Sequence, residues 1–278
     1  MIMQMYCPLC NSTEIKNKFI KRGLPFFECR RCRFIFQLNN DNPNFQKNLT
    51  DFETAYLNYF EPSRADKKNH YSLLQWIQKC KPGTGFQLLD TGCGSGKFVN
   101  YLNKHGYWAF GIEPSVPIYN HFLANNNAFE CTTVINYISC VSGKVFDIIT
   151  AFDVLEHIKD PVEFLTGIAS LMHKESLLFI STPDVSSFHR KFAGKHWHYF
   201  NKYHFSLFSK ETLRLAAKKA GLELFYVSHH SRYFQLKYIR QYFYNFILGK
   251  KSNYSSSESG MTVPLNLFDI MYCVLKKP

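Results

Sequence analysis

The strongest chemical pattern in the chain is the ordered set Asp90, Gly92, Gly94, Gly96 and Glu113. Glycines at alternate positions permit positive φ and leave no Cβ between the backbone and a ligand. A helix starting at Gly96 would turn its free N–H groups toward that ligand, which suits an anion. Glu113 lies 23 residues beyond Asp90, where a carboxylate can take both hydroxyls of a ribose. A second set is Cys7, Cys10, Cys29 and Cys32, read as C-P-L-C, eighteen residues, then C-R-R-C. Two Cys-x2-Cys knuckles at this gap supply four thiolates for a tetrahedral zinc, and no ligand position is left open for catalysis. The third set, Asp153-x-x-Glu156-His157, has two readings. It is a site for a divalent ion such as Mg2+, with His204 completing the shell, or Glu156 and His157 hold the loop by hydrogen bonds, which is the preferred reading. Between the two, His157 is a base working without metal. The loop from Phe188 to Phe205 adds Arg190, Lys191 and Lys195 to His196, His198, Tyr203 and His204, and contains no acid. Its charge can hold a diphosphate while an imidazole takes a proton, with His157 the first candidate base and His204 the second.

The elements that must position these groups follow from periodicity. Phe86 to Leu89 is an apolar run of buried-strand length ending at Asp90, and Phe98, Val99, Tyr101 and Leu102 share one helical face that Gly106 stops. Tyr107 to Ile112 is a second strand closed by Glu113. Strand, glycine turn, helix, strand and terminal acid form a Rossmann-type nucleotide-binding unit. A dinucleotide site needs G-x-G-x-x-G, but position 97 is Lys, so the third glycine comes one residue early. The alternation continues with strands at Phe129–Ile135, at Val145–Phe152 and at Leu177–Ser181. Leu222–Val227 and Phe268–Leu275 close the sheet as an antiparallel pair. The expected fold is α/β: a seven-stranded Rossmann-like sheet with helices on both faces and a small N-terminal zinc ribbon. The expected divisions are 1–40 for the ribbon, 41–85 for a linker and leading helices, and 86–278 for the main domain. Within it, residues 232–260 read as a helical insertion, with Tyr233 to Leu248 helical and rich in aromatics.

Composition limits the partners. The formal net charge is +12, and residues 188–251 hold 13 Lys or Arg against only Glu211 and Glu223. An anionic partner for the C-terminal third is expected, phosphate above all. The basic aromatic stretch after Arg232 also suits peripheral contact with a membrane surface, although packing is the plainer role. No apolar run reaches the ~18 residues of a bilayer span, and the start MIMQMYCPLC has no secretory core, so the protein is expected in the cytoplasm. Oligomeric state is not legible.

G-x-G-x-G preceded by Asp resembles motif I of class I S-adenosylmethionine-dependent methyltransferases. With LLDTGCGSG, GIEPS, FDVLEHIKDP and HFSLFSKETL…AGLE, the chain resembles the methyltransferases of bacterial polysaccharide and deoxysugar gene clusters, and CPLC…CRRC is similar to their zinc-binding head. D-x-x-E-H is similar to the metal-binding E-x-x-E-H of quinone-pathway and small-RNA O-methyltransferases. The resemblance implies S-adenosylmethionine held by Asp90, Gly92, Gly94, Gly96, Glu113 and Phe152. It implies an acceptor held by Arg190, His196, His198 and Tyr203. The sugar C-methyltransferases of that group carry a further C-terminal domain that 278 residues do not accommodate, so oxygen or nitrogen of a nucleotide-sugar or surface glycan is the expected acceptor. Two other functions fit the sequence: an RNA methyltransferase using ribbon and basic region, and a non-enzymatic adaptor on a decayed fold. The intact motif argues against decay.

Overall fold

The computed structural model describes residues 5–37, 64–124, 128–140, 143–237, 239–240 and 261–278. The leading linker and the helical sequence expected at Ala55–Phe60 lie outside them, as does most of the insertion. The ribbon comprises β1 (Ile15–Lys21), β2 (Leu24–Cys29) and β3 (Ile35–Gln37). The first two are joined by Arg22 and Gly23, both at positive φ, the signature of a type I′ hairpin turn. Helix α1 (Arg64–Cys80) leads into the main sheet. There, β4 (Gln87–Thr91), α2 (Lys97–Lys104), β5 (Trp108–Ile112), α3 (Val116–Phe122) and β6 (Phe129–Glu130) form the first half. The second half is α4 (Val134–Cys140), β7 (Phe146–Phe152), α5 (Pro161–Ser170) and β8 (Met172–Pro183). The chain ends through α6 (Phe188–Ala193), β9 (Ser206–Leu207), α7 (Lys210–Lys219), β10 (Glu223–Ser228), β11 (Arg232–Gln235), β12 (Thr262–Leu265) and β13 (Ile270–Lys276).

Seven strands run in the order β10-β13-β8-β7-β4-β5-β6. The five from β8 to β6 are parallel, and β13 is antiparallel to both its neighbours. Strand order reverses between β4 and β7, and a crevice outside the carboxyl ends at that reversal is where open α/β sheets bind ligands. Alternation along the strands divides the core. Leu89, Ile149, Ala151, Leu178, Ile180, Met271 and Cys273 face one layer with α4, α5 and α7. Leu88, Ile148, Phe179, Tyr272 and Val274 face the other with α1 and α2. The central strands are therefore apolar on both sides, the condition for a covered parallel sheet.

The ribbon is not a separate bead on this structure. β9, which lies after β8 in the chain, pairs antiparallel with β3 and makes a fourth strand of the ribbon sheet. Leu9, Phe34 and Phe36 pack into the first core layer. Phe26 and Ile35 join Trp197, Phe200 and Leu207 in a third cluster.

Two elements differ from expectation. The strand expected at Phe129–Ile135 stops at Glu130, and helix begins at Val134; only Phe129 and Glu130 find a partner, in β5. The helical stretch expected from Tyr233 starts as β11, which pairs with β12, and helical turns begin only at Leu236. The aromatic run there includes β-favouring Tyr and Phe, and the antiparallel partner overrides helical spacing. Among the described residues no helix is long and apolar enough to cross a membrane.

Candidate active site

The glycine turn forms as its spacing implied. Gly92, Gly94 and Gly96 have φ of 70°, 55° and 70°, left-handed values that cost a residue with a Cβ. Space is as strict as torsion: a Cβ on Gly96 would stand 2.6 Å from the Phe129 ring. Gly92 and Cys93 donate to the Ile112 carbonyl at 2.8 and 3.0 Å, laying the turn across the end of β5. Helix α2 starts at Gly96 with no side-chain cap, so its first N–H groups face the turn.

Glu113, buried just past β5, is drawn into the same turn. Its carboxylate accepts from the Gly94 N–H and from the Ser115 N–H, each at 2.9 Å. Asp90 does a different job. It is buried within β4 and accepts from Thr150 Oγ1 at 2.6 Å, tying β4 to β7 across the strand reversal. Burial pushes its carboxyl up to about 7, against the Thr150 hydrogen bond, with the Glu113 charge adding to the rise. These residues fit an adenosyl cofactor: two lone pairs of Glu113 are fixed by backbone, which aims the carboxylate, and the turn leaves room for a ligand against peptide N–H groups.

At the end of β7, Phe152 meets Phe98 edge-on and Trp76 at a tilt, and lines a cavity of about 200 Å3. Its other walls come from α1, from Ser181 of β8, from His230 to Arg232 and from Tyr272. Asp153 stands at its mouth with φ of 57°. The Arg232 guanidinium grips both Asp153 oxygens, at 2.9 and 2.7 Å, and also donates to Tyr272 and Ser181. Desolvation would raise the Asp153 carboxyl, but Arg232 wins and holds it below the usual carboxylate range. Asn69 joins α1 to β11 through paired hydrogen bonds with the Tyr233 backbone. Trp76 lines the same cavity, and its buried Nε1 has no hydrogen-bond partner among the described residues. The imidazoles here are His70 and His230; burial lowers both, His70 to about 4.

The expected metal set gathers in part. The donors that converge are Glu156, His157 and His204, within 4.8 Å of one another, while the Asp153 carboxylate is occupied by Arg232. Glu156 accepts from Thr182 Oγ1 at 2.9 Å, and burial together with Asp153 raises its carboxyl. His157 Nδ1 lies 2.9 Å from the Tyr203 carbonyl, and His204 Nδ1 lies 2.8 Å from that of Tyr199. A carbonyl only accepts, so both rings carry their proton on Nδ1 and their basic lone pair on Nε2. Burial keeps both neutral, with His204 brought down to about 3.

The loop after β8 spreads its expected acceptor residues rather than gathering them. Arg190 lies over the Phe200 ring, and its buried Nε has no partner among the described residues. His196 is exposed and offers its carbonyl to Lys21. Tyr203 contributes its carbonyl to His157. His198 lies against Tyr199, with ring centroids 3.9 Å apart and planes tilted by 41°. None of the four lines the cavity beside Phe152. Trp76, Asn69, His230 and the Asp153–Arg232 pair do, and sequence reasoning missed that grouping. Partners 79 residues apart leave no local spacing to read.

The four cysteines converge as expected. Cys7 Sγ is 3.6 Å from Cys32 Sγ, and Cys10 Sγ is 3.5 Å from Cys29 Sγ. Zinc–sulfur bonds in a tetrahedron place sulfurs roughly 3.8 Å apart, so the set fits a structural metal. The knuckles share one turn. Asn11 and Arg33, each just past a second cysteine, have positive φ and donate to the carbonyls of Cys7 and Cys29.

Comparison with known proteins agrees with this geometry. A family described as a methyltransferase domain matches residues 59–227. A ubiquinone biosynthesis O-methyltransferase of Coxiella burnetii is 30% identical over 146 residues, which cover 49% of this chain and 62% of that protein. The chain thus spans less than two thirds of that relative's length. Magnesium protoporphyrin IX methyltransferase from Synechocystis PCC 6803, solved with bound SAH, superposes with a TM-score of 0.53 at 14% identity, covering 85% of this chain and 97% of that one. A possible histamine N-methyltransferase from Thermotoga maritima gives 0.51 at 18% identity, covering 84% and 98%. At these identities the two structures bear on fold alone.

Proposed function

We propose, for a chain that belongs to the methyltransferase-domain family, that it methylates an oxygen or nitrogen of a phosphate-bearing small molecule, a sugar of a nucleotide-sugar or surface glycan. The observation that carries methyl transfer is the Glu113 carboxylate fixed by Gly94 and Ser115 beside three left-handed glycines. Asp90, Gly92, Gly94, Gly96, Glu113 and Phe152 would hold S-adenosylmethionine, which supplies an electrophilic methyl on a sulfonium when bound. Glu113 takes the ribose hydroxyls, and the turn and the start of α2 surround the adjoining backbone face. Phe152 also lines the neighbouring cavity with Trp76 and His230.

His157 accepts the acceptor's proton at Nε2, because the Tyr203 carbonyl fixes its proton on Nδ1. His204 beside it shares the same tautomer and is the second candidate. Support for a phosphate on the acceptor comes from the basic balance of residues 188–251 and from the buried Arg190 Nε, a donor that a phosphate oxygen would satisfy. The Coxiella relative is named for O-methylation, which supports oxygen. The four-cysteine set holds zinc as a staple for the ribbon.

The test is incubation with methyl-labelled S-adenosylmethionine and a panel of nucleotide-sugars, glycans and RNA, with products read by mass spectrometry. A methylated sugar is expected, and His157→Gln should lower kcat while Arg190→Ala mainly raises KM. Label entering RNA alone would overturn the acceptor assignment.

A further inference from the structure

A cluster outside the described site joins three separate parts of the chain. His189 lies on α6, His198 on the loop after it, and Asp269 just before β13. Their ligand atoms all lie within 4.8 Å of one another. His189 Nδ1 is 2.6 Å from Asp269 Oδ2, and Trp197 Nε1 donates to the same oxygen at 3.4 Å.

Each member is held by something else. Asp269 is buried, and its carbonyl accepts from the Asp184 N–H at 2.9 Å, which locks it to the end of β8. Helix α6 is capped by Ser187, whose side chain accepts from the Arg190 N–H. Trp197 is fully buried, and its carbonyl accepts from Lys21 of the ribbon at 2.7 Å. His198 follows Trp197 directly and lies tilted against the Tyr199 ring.

We propose that His189, His198 and Asp269 form a second metal site that takes a divalent transition ion of the zinc and cobalt class. The site is independent of the methyl-transfer reading. Two imidazoles and a carboxylate are the donor set of open zinc sites, whereas Mg2+ and Ca2+ select oxygen. A tetrahedral ion with bonds of about 2.0–2.1 Å spaces its donors roughly 3.3 Å apart. The observed range, from 2.6 Å for one pair to a limit of 4.8 Å, brackets that value, so side-chain rotations close the site around an ion. Trp197 orients the carboxylate, as groups behind metal ligands do. Asp269 lies at the floor and His198 is exposed at the rim. The fourth position therefore faces outward and takes water or an oxygen ligand such as phosphate.

The experiment is a Co2+ titration of the full chain, with its cysteine site already filled by zinc, in phosphate-free buffer. One further equivalent is expected, with visible d–d absorption and no thiolate-to-cobalt charge-transfer band. His198→Ala should lose that equivalent while zinc content and circular dichroism are unchanged, because His198 is exposed. His189→Asn should lose it too, and supplies the reading should the first variant not fold. His157→Ala should retain it. The proposal is overturned by no further equivalent in the unaltered protein, or by unchanged binding in both variants. It is also overturned by loss in His157→Ala instead, which would move the ion to Glu156, His157 and His204. A charge-transfer band alone would mean exchange at the cysteines, and would equally overturn it.

Discussion

Gly111→Ala isolates the role of space beneath the glycine turn. Gly111 lies in β5, opposite Asp90 of β4 and Phe129 of β6, and is not among the glycines at positive φ, so alanine costs no torsional strain there. A Cβ at this position would stand 2.7 Å from Cys93 Sγ, 2.8 Å from Phe129 Cδ1 and 2.9 Å from Cys93 Cβ. The Phe129 ring cannot retreat freely, because it already fills the space that a Cβ on Gly96 would need. Cys93 Cβ moves only with the turn backbone between Gly92 and Gly94. Overpacking of this kind destabilises by roughly 1–3 kcal/mol, and each kcal/mol lowers Tm by about 2–4 °C in a domain of this size. Denaturation and SAH calorimetry should show both losses, since the displaced turn carries the Gly94 N–H that holds Glu113. Adding Cys93→Ala should recover only part of the stability, because the 2.9 Å contact remains. A Gly111→Ala protein with unchanged Tm and unchanged SAH affinity would refute the reasoning.

Cys29→Ser should remove one metal equivalent in native mass spectrometry and make the ribbon protease-sensitive; a metal-free, fully folded wild-type ribbon would contradict this. Asp90 gives a pH dependence. Its folded pKa is raised from 3.8 to about 7, so between those values the folded state holds a proton that the unfolded state releases, and stability falls as pH rises. Asp90→Asn, which still accepts from Thr150, should flatten that slope in denaturation curves at several pH values. The raised Glu156 carboxyl contributes a slope of the same sign, so some slope remains in the variant.

What the sequence disclosed was local. Asp90, the three glycines and Glu113 lie within one strand-turn-helix-strand unit, and the two cysteine pairs are each a single knuckle, so spacing alone specified both. Alternation also located the antiparallel pair β10 and β13 that ends the sheet. What stayed hidden depends on distant pairing. β9 has two residues, too few to show a period, and exists because β3 offers an edge. β11 carries aromatics at a spacing that also fits a helix, and only β12 decides the matter. Asp153 reads as a metal ligand beside Glu156 and His157 until Arg232 arrives from the other end of the domain. The loop from Phe188 to Phe205 was legible as basic and His-rich, but not that Arg190 lies over Phe200 and His198 against Tyr199.

The central claim is that the glycine turn and Glu113 bind an adenosyl cofactor through its ribose. Isothermal titration of SAH into the wild type and Glu113→Ala tests it most directly. The account predicts measurable SAH binding that the substitution weakens by about 1–3 kcal/mol, the cost of leaving buried polar partners unpaired, or roughly 5- to 150-fold in Kd. Equal SAH affinity in the two proteins, or tight NADH binding with no response to SAH, would contradict it.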